Sequence, residues 1–139
     1  MFKPELSLEA LNDFFADTLV SHLGIEITEI GPDFMTARMP VDSRTMQPFR
    51  QLHGGASVSL AESLGSLASF ALIDPATQAA VGLEINANHL RGVRSGNVHA
   101  TARPLHIGRR THVWDIRIVD DAERLVCVCR LTMAIVDRE

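Results

Sequence analysis

Twenty consecutive residues, 54–73, carry one charged side chain, Glu62. The rest of the segment is Gly, Ala, Ser, Val, Leu, Ile and Phe, and apolar residues recur at helical spacing at 58, 61, 64, 67, 68 and 72. The spacing predicts one long helix. A helix on a protein surface carries several charges on its outer face, so this one is expected to be enclosed on all sides. Burying a carboxylate there is costly unless it is paired, hydrogen-bonded or used in chemistry. A capped or solvated glutamate near a helix start is the plainer alternative, and the preceding residues weigh against it.

Those residues are Gln47-Pro48-Phe49-Arg50-Gln51-Leu52-His53, running into Gly54-Gly55. Pro48 and the paired glycines mark a loop that turns sharply and lets backbone approach a ligand. It delivers the chain to a helix N-terminus, where unpartnered N–H groups and the helix dipole favour negative charge. A phosphate suits such a place, and so does a carbonyl oxygen becoming tetrahedral. Ser66 follows Glu62 by four residues and shares its helix face, where a hydroxyl can orient a carboxylate or a water. An amide, an anion-stabilising N-terminus, a carboxylate and a hydroxyl form a kit for acyl transfer or hydrolysis.

At 139 residues, 46% hydrophobic and 22% charged, the chain reads as a single globular domain over 1–139. A net charge of −4 argues against nonspecific nucleic-acid binding. No apolar targeting segment follows Met1, and the long helix holds five serines and a glutamate, so no membrane partner is expected and the cytoplasm is the default location. Cys127 and Cys129, two apart on an expected strand, read as small core residues with spacing unsuited to a disulfide framework or zinc. No ligand spacing supports a metal, and no Gly-x-Ser-x-Gly elbow supports a serine hydrolase.

Along the chain, Ser7 is the expected cap of a first helix bearing Leu8, Leu11, Phe14, Phe15 and Leu19. Strands follow over 25–30 and 34–41, then the loop, the helix, and strands over 80–91, 97–105, 111–119 and 124–136. His22, His99 and His112 match no motif and read as ordinary surface or strand residues. Short connections imply antiparallel pairing. The sheet can wrap one side of the helix, and a second copy of the chain is the economical cover for the other. Gly54 and Glu62 stand about 12 Å apart along the helix at 1.5 Å per residue, too far to meet one carbonyl together. If both act on one bond, the glutamate comes from a neighbouring subunit.

The runs QPFRQLHGGASVSLAESLGS (47–66), VGLEINANHLR (81–91) and RPLHIGRR (103–110) resemble the hotdog-fold acyl-CoA thioesterases, in their PaaI-like branch. The resemblance extends over nearly the whole chain and is weakest in the first twenty residues. It implies an α+β fold, an antiparallel sheet wrapped round a long central helix, assembled as a dimer or a dimer of dimers. It implies hydrolysis of an acyl-CoA, an aryl- or naphthoyl-CoA foremost, with no cofactor beyond the coenzyme A of the substrate. By carry-over Glu62 is the nucleophile or the general base. The N–H of Gly54 or Gly55 polarises the thioester carbonyl, Gln47 and His53 assist, and Ser66 positions the carboxylate or water.

Coenzyme A needs cations for its phosphates, and His89, Arg91 and Arg94, with His106, Gly108, Arg109 and Arg110, are the candidates. Phe49, Leu64, Leu67 and Ala68 are the candidates for the acyl pocket, and they do not distinguish one acyl group from another. A thioesterase acting on carrier-protein conjugates and a non-catalytic acyl-CoA-binding module are the competing readings. The intact Glu62, Gln47 and His-Gly-Gly turn weigh against the second of these.

Overall fold

A computed structural model describes residues 1–139. Two short helices, α1 (Leu8–Phe14) and α2 (Leu19–His22), precede strands β1 (Glu26–Ile30) and β2 (Met35–Pro40). The central helix α3 (Gly54–Phe70) follows, then β3 (Gln78–His89), β4 (Asn97–Ile107), β5 (Thr111–Asp120) and β6 (Leu125–Asp137). All six strands form one antiparallel sheet in the order β1-β2-β4-β5-β6-β3. The sheet wraps α3, which touches five of the six strands. This is the hotdog architecture.

Side-chain parity explains the wrapping. Trp114, Ile116 and Ile118 of β5 are fully buried, whereas the alternating Val113, Asp115 and Val119 are only half-buried and Arg117 is exposed. In β4 the inward residues are Val98, Ala100 and Ala102, small enough to let the helix lie close. The helix meets the sheet through Ser57, Leu60, Ala61, Leu64 and Ala68. Val58, Glu62 and Ser66 fall on its other side and are half-buried. Cys127 and Cys129 are core residues, on the face that also buries Leu131.

The predicted first helix is broken. Ser7 caps α1, accepting the Ala10 N–H at 3.1 Å, but the helix ends at Phe14. Asp17 takes a left-handed φ of 60°, and the Thr18 hydroxyl donates to the Phe15 carbonyl, so Leu19 starts a separate turn. α3 also stops before residue 73. Leu72 and Ile73 donate to carbonyls three residues back, tightening the chain out of the helix before Asp74-Pro75. No helix is long and apolar enough to cross a membrane.

β3 does not pair with β4, its neighbour in sequence. Residues 90–96 carry the chain past the ends of β6 and β5, held by the Leu90 N–H on the Val126 carbonyl and by buried Val93. β3 thereby becomes an edge strand, bonded to β6 along one side and to nothing along the other. Val81 and Leu83 lie exposed on it, Leu83 by 66%.

Candidate active site

Residues 46–52 form a tight loop closed by a bridge between Met46 and Leu52 and by the Gln47 N–H on the Gln51 carbonyl at 2.8 Å. Arg50 adopts a left-handed φ of 64° at its tip. The Phe49 N–H donates to the side-chain oxygen of Gln47. That bond fixes which end of the amide is which, and leaves the Gln47 NH2 free to donate outward. The loop leads to His53, the N-cap of α3, whose Nδ1 accepts the Gly55 N–H at 2.8 Å. The Gly54 N–H has no acceptor in the chain. Gln47, Gln51, Gly54, Ser57, His89 and Arg91 line a cavity of about 440 Å³ at this end of the helix.

Glu62 and Ser66 face a different cavity, of about 770 Å³. Val58, Ser59, Ser63, Leu67 and Phe70 of α3 form its floor, and Phe14, Phe15, Leu19 and Val20 form a wall from the N-terminal helices. Phe14 stacks on Phe70 with ring centroids 5.5 Å apart. Glu62 takes no hydrogen bond and no ion pair from its own chain. The Ser66 hydroxyl turns to Met133 Sδ at 3.6 Å rather than to the carboxylate. Glu62 Oε2 lies 3.3 Å from where a Cβ on Gly82 would stand, at the point where β3 bulges against β6. An absent side chain leaves the carboxylate its room.

The expected kit is thus divided: amide and free N–H in one cavity, carboxylate and hydroxyl in the other. The cationic candidates divide as well. His89 and Arg91 border the first cavity. His106 lies near the end of β4, and Gly108, Arg109 and Arg110 form the turn into β5, tied down by the Gly108 N–H on the Thr111 carbonyl and the Ile135 N–H on the Arg110 carbonyl. Strand register aligns His89 with Cys127 and Ile118, and Gly82 with Met133 and His112, so the two groups stand roughly 20 Å apart along the sheet at 3.4 Å per residue. Arg91, Arg94, Arg109 and Arg110 are all exposed and none is ion-paired, whereas Arg38, Arg44, Arg103, Arg117 and Arg124 each have a carboxylate partner.

The four acyl-pocket candidates do not share one cavity of the single chain. Leu64 and Ala68 are fully buried against the sheet and border neither cavity, because they sit on the opposite helix face from Glu62. Phe49 is 81% exposed on the loop and lines neither. Leu67 does line the Glu62 cavity. The wall from the N-terminal helices lies outside the expected pocket, although the stripe of Phe14, Phe15 and Leu19 stands in the sequence without a partner.

His112 is a strand residue, on β5, with its side chain turned inward: it is 3% exposed, and its Nδ1 meets the Ser69 hydroxyl at 2.9 Å. Trp114 Nε1 donates to the same oxygen at 2.8 Å. Burial, and secondarily the nearby His106, hold the His112 imidazole below its ordinary pKa. Its parity with Trp114, Ile116 and Ile118 was the signal for an inward position. His99 is a surface residue, paired with Asp121 at 2.7 Å, and His22 is exposed.

Residues 50–127 match the family model described as the thioesterase superfamily. The chain belongs to that superfamily. This thioesterase is 52% identical over 135 residues to the 1,4-dihydroxy-2-naphthoyl-CoA hydrolase of Escherichia coli, covering 97% of this chain and 98% of that one. It is 49% identical over 135 residues to the proofreading thioesterase EntH of Cronobacter turicensis, with the same coverage. Among solved structures, a mutant thioesterase from Pseudomonas aeruginosa superposes with a TM-score of 0.96 at 52% identity, covering 99% of each chain. A thioesterase from Staphylococcus aureus, solved as glutamate-to-alanine and glutamine-to-alanine mutants, superposes with TM-scores of 0.84 and 0.82. Identities there are 42% and 43%, covering 86% and 84% of this chain and 99% and 97% of those. The two replaced residues are fifteen positions apart in that protein, the separation of Gln47 and Glu62 here.

Proposed function

We propose that this thioesterase hydrolyses an aromatic acyl-CoA to the free acid and CoA, at a site built from two chains. The Gly54 N–H and the Gln47 NH2 of one chain receive the thioester oxygen. Glu62 of the other supplies the carboxylate that attacks the carbonyl carbon or deprotonates the attacking water. Ser66 assists that carboxylate, and His53 holds the helix start. The reaction consumes only thioester and water, and coenzyme A enters as part of the substrate. One observation carries the reading: within a chain the oxyanion donors and the carboxylate open into separate cavities. The open edge of β3 supplies the means of joining them. Antiparallel pairing of two such edges sets the His89 end of one strand beside the Gly82 end of the other. It brings the Arg109–Arg110 turn toward the Gly54 cavity, where the free guanidiniums can meet the CoA phosphates. Dimers so formed associate in pairs as a tetramer.

The apolar Glu62 cavity, walled by the stacked Phe14 and Phe70, supports the aromatic preference, as does the resemblance to a naphthoyl-CoA hydrolase. The proofreading relative supports a second substrate, acyl or aryl groups on a carrier protein. Matched aryl thioesters of CoA and of a carrier protein, set beside straight-chain acyl-CoAs, test both readings through kcat/KM. Aryl-CoA is expected to rank first. A straight-chain acyl-CoA at the top of the series would remove the aromatic assignment, and a carrier conjugate at the top would make the second reading the main one.

A further inference from the structure

Two imidazoles flank the start of α3, and they are not equivalent. His53 is committed to the backbone, with Nδ1 on the Gly55 N–H. His89 lines the cavity with Gln47 and Gly54, and its Nε2 stands 3.0 Å from where a Cβ on Gly54 would be. Gly54, which carries the one unpartnered N–H of the helix start, therefore has an imidazole nitrogen against its α-carbon. Behind the ring, His89 Nδ1 lies 3.6 Å from Cys127 Sγ, which lies 3.6 Å from Cys129 Sγ. Both thiols are buried.

Either partner can donate in each sulfur contact, and the relative acidity of the two thiols favours one direction. The bond to Cys127 first, and burial second, push the Cys129 thiol far above its ordinary range, while the same bond holds the Cys127 thiol below its own. The more acidic Cys127 S–H is the better donor of the two, and His89 Nδ1 is the acceptor within its reach. With Nδ1 accepting, a neutral imidazole carries its proton on Nε2, the nitrogen that faces Gly54. The three groups form a file of donors running out of the core.

We propose that His89 is a catalytic residue, donating from Nε2–H to the thioester oxygen beside the Gly54 N–H, and that Cys127 is the positioning residue that fixes this tautomer. The assignment rests on the reading that the Gly54 end receives the carbonyl, and it moves His89 from the CoA phosphates to the reacting group. No bond to His89 forms or breaks. As the carbonyl becomes tetrahedral its oxygen gains negative charge and the donated hydrogen bond strengthens. As the C–S bond breaks, the oxyanion's electron pair re-forms the neutral carbonyl and the negative charge leaves on the thiolate sulfur.

The test compares an aryl-CoA with the matching N-acetylcysteamine thioester, which lacks the nucleotide. His89→Ala is expected to lower kcat about a hundredfold on both substrates, the scale of losing one oxyanion donor. His89→Gln, whose amide N–H reaches the Nε2 position, should recover most of that loss. A defect confined to KM for the CoA ester, and absent with the short one, would overturn the proposal and return His89 to CoA binding. For Cys127, the Ser variant should retain kcat and the Val variant should lose about tenfold, on the scale of a displaced catalytic group. Nitrogen NMR of the wild-type protein should show His89 protonated on Nε2. Protonation on Nδ1 instead overturns the role of Cys127, and decides the matter even if Cys127→Val does not fold. Glu62→Gln, assayed alongside, separates the layers. An active Glu62→Gln strikes at the underlying reading of the site, whereas an inactive one beside a fully active His89→Ala overturns this assignment alone.

Discussion

Glu62 and Leu64 are two residues apart and have opposite fates, one facing a cavity and the other sealed against the sheet. The sequence marks Glu62 by its charge. It marks Leu64 only as apolar, on a helix that is apolar nearly all round, so which face meets the sheet was not legible. Glu62→Gln keeps the shape and removes the negative charge, and is expected to lower kcat by at least about a hundredfold with a smaller change in KM. Gln47→Ala should cost less, because it removes an assisting donor. Near-wild-type turnover in a folded Glu62→Gln variant would withdraw the glutamate from the mechanism. Gly82 is the quieter partner. A methyl group there would stand 3.3 Å from Glu62 Oε2, closer than ordinary contact, so Gly82→Ala should lower kcat while leaving the melting temperature near that of the parent. A loss of stability without a loss of kcat would mean that the glycine serves the bulge and not the carboxylate.

At the scale of elements, the strands and the central helix were readable because period and parity are local properties. The break between α1 and α2 was not, since it depends on a left-handed Asp17 and a side-chain cap, and apolar spacing continues through both. The junction of α3 with β5 depends on Ser69, whose hydroxyl serves both Trp114 and His112. Ser69→Ala leaves a buried indole N–H without an acceptor and should cost about 1–3 kcal/mol in chemical denaturation. The same junction makes stability pH-dependent. His112 has a folded-state pKa below its ordinary 6.5, so its contribution is fully present above about that pH. It declines as pH falls toward the folded-state value, because the unfolded chain takes up a proton that the folded chain resists. Denaturation at about pH 7.5 and about pH 5.5 should show this loss. His112→Gln should reduce it, and an unchanged slope would place the titration elsewhere.

Strand order belongs to the whole molecule, and here sequence neighbours misled: β3 and β4 are consecutive and sit three places apart in the sheet. Nothing local in residues 90–96 records that choice, which is made by long-range pairing with β6. The separation of Gly54 from Glu62 along α3 was legible from helical rise alone, and it sets the test of the shared site. Glu62→Ala and a turn-disabled variant such as Gly54→Pro, each inactive alone, are to be mixed under subunit exchange. In a mixed dimer one site inherits both defects and the other inherits neither. Random pairing of equal amounts makes about half the dimers mixed, so activity should return to roughly a quarter of wild type. Verified mixed dimers as inactive as their parents would place each site within a single chain.

The open edge of β3 has a consequence before any substrate arrives. A newly synthesised chain presents a twelve-residue strand with one row of N–H and C=O groups unsatisfied and with Val81 and Leu83 outward. Such an edge accepts other strands with little discrimination. On the proposed pairing of two β3 edges, the vulnerable species in a cell is the orphan chain, and its lifetime is set by how soon it meets a copy of itself. Substitutions along β3 that leave every reacting group in place should be felt first as a shortfall of soluble protein at low expression, and only afterwards in the turnover of what survives.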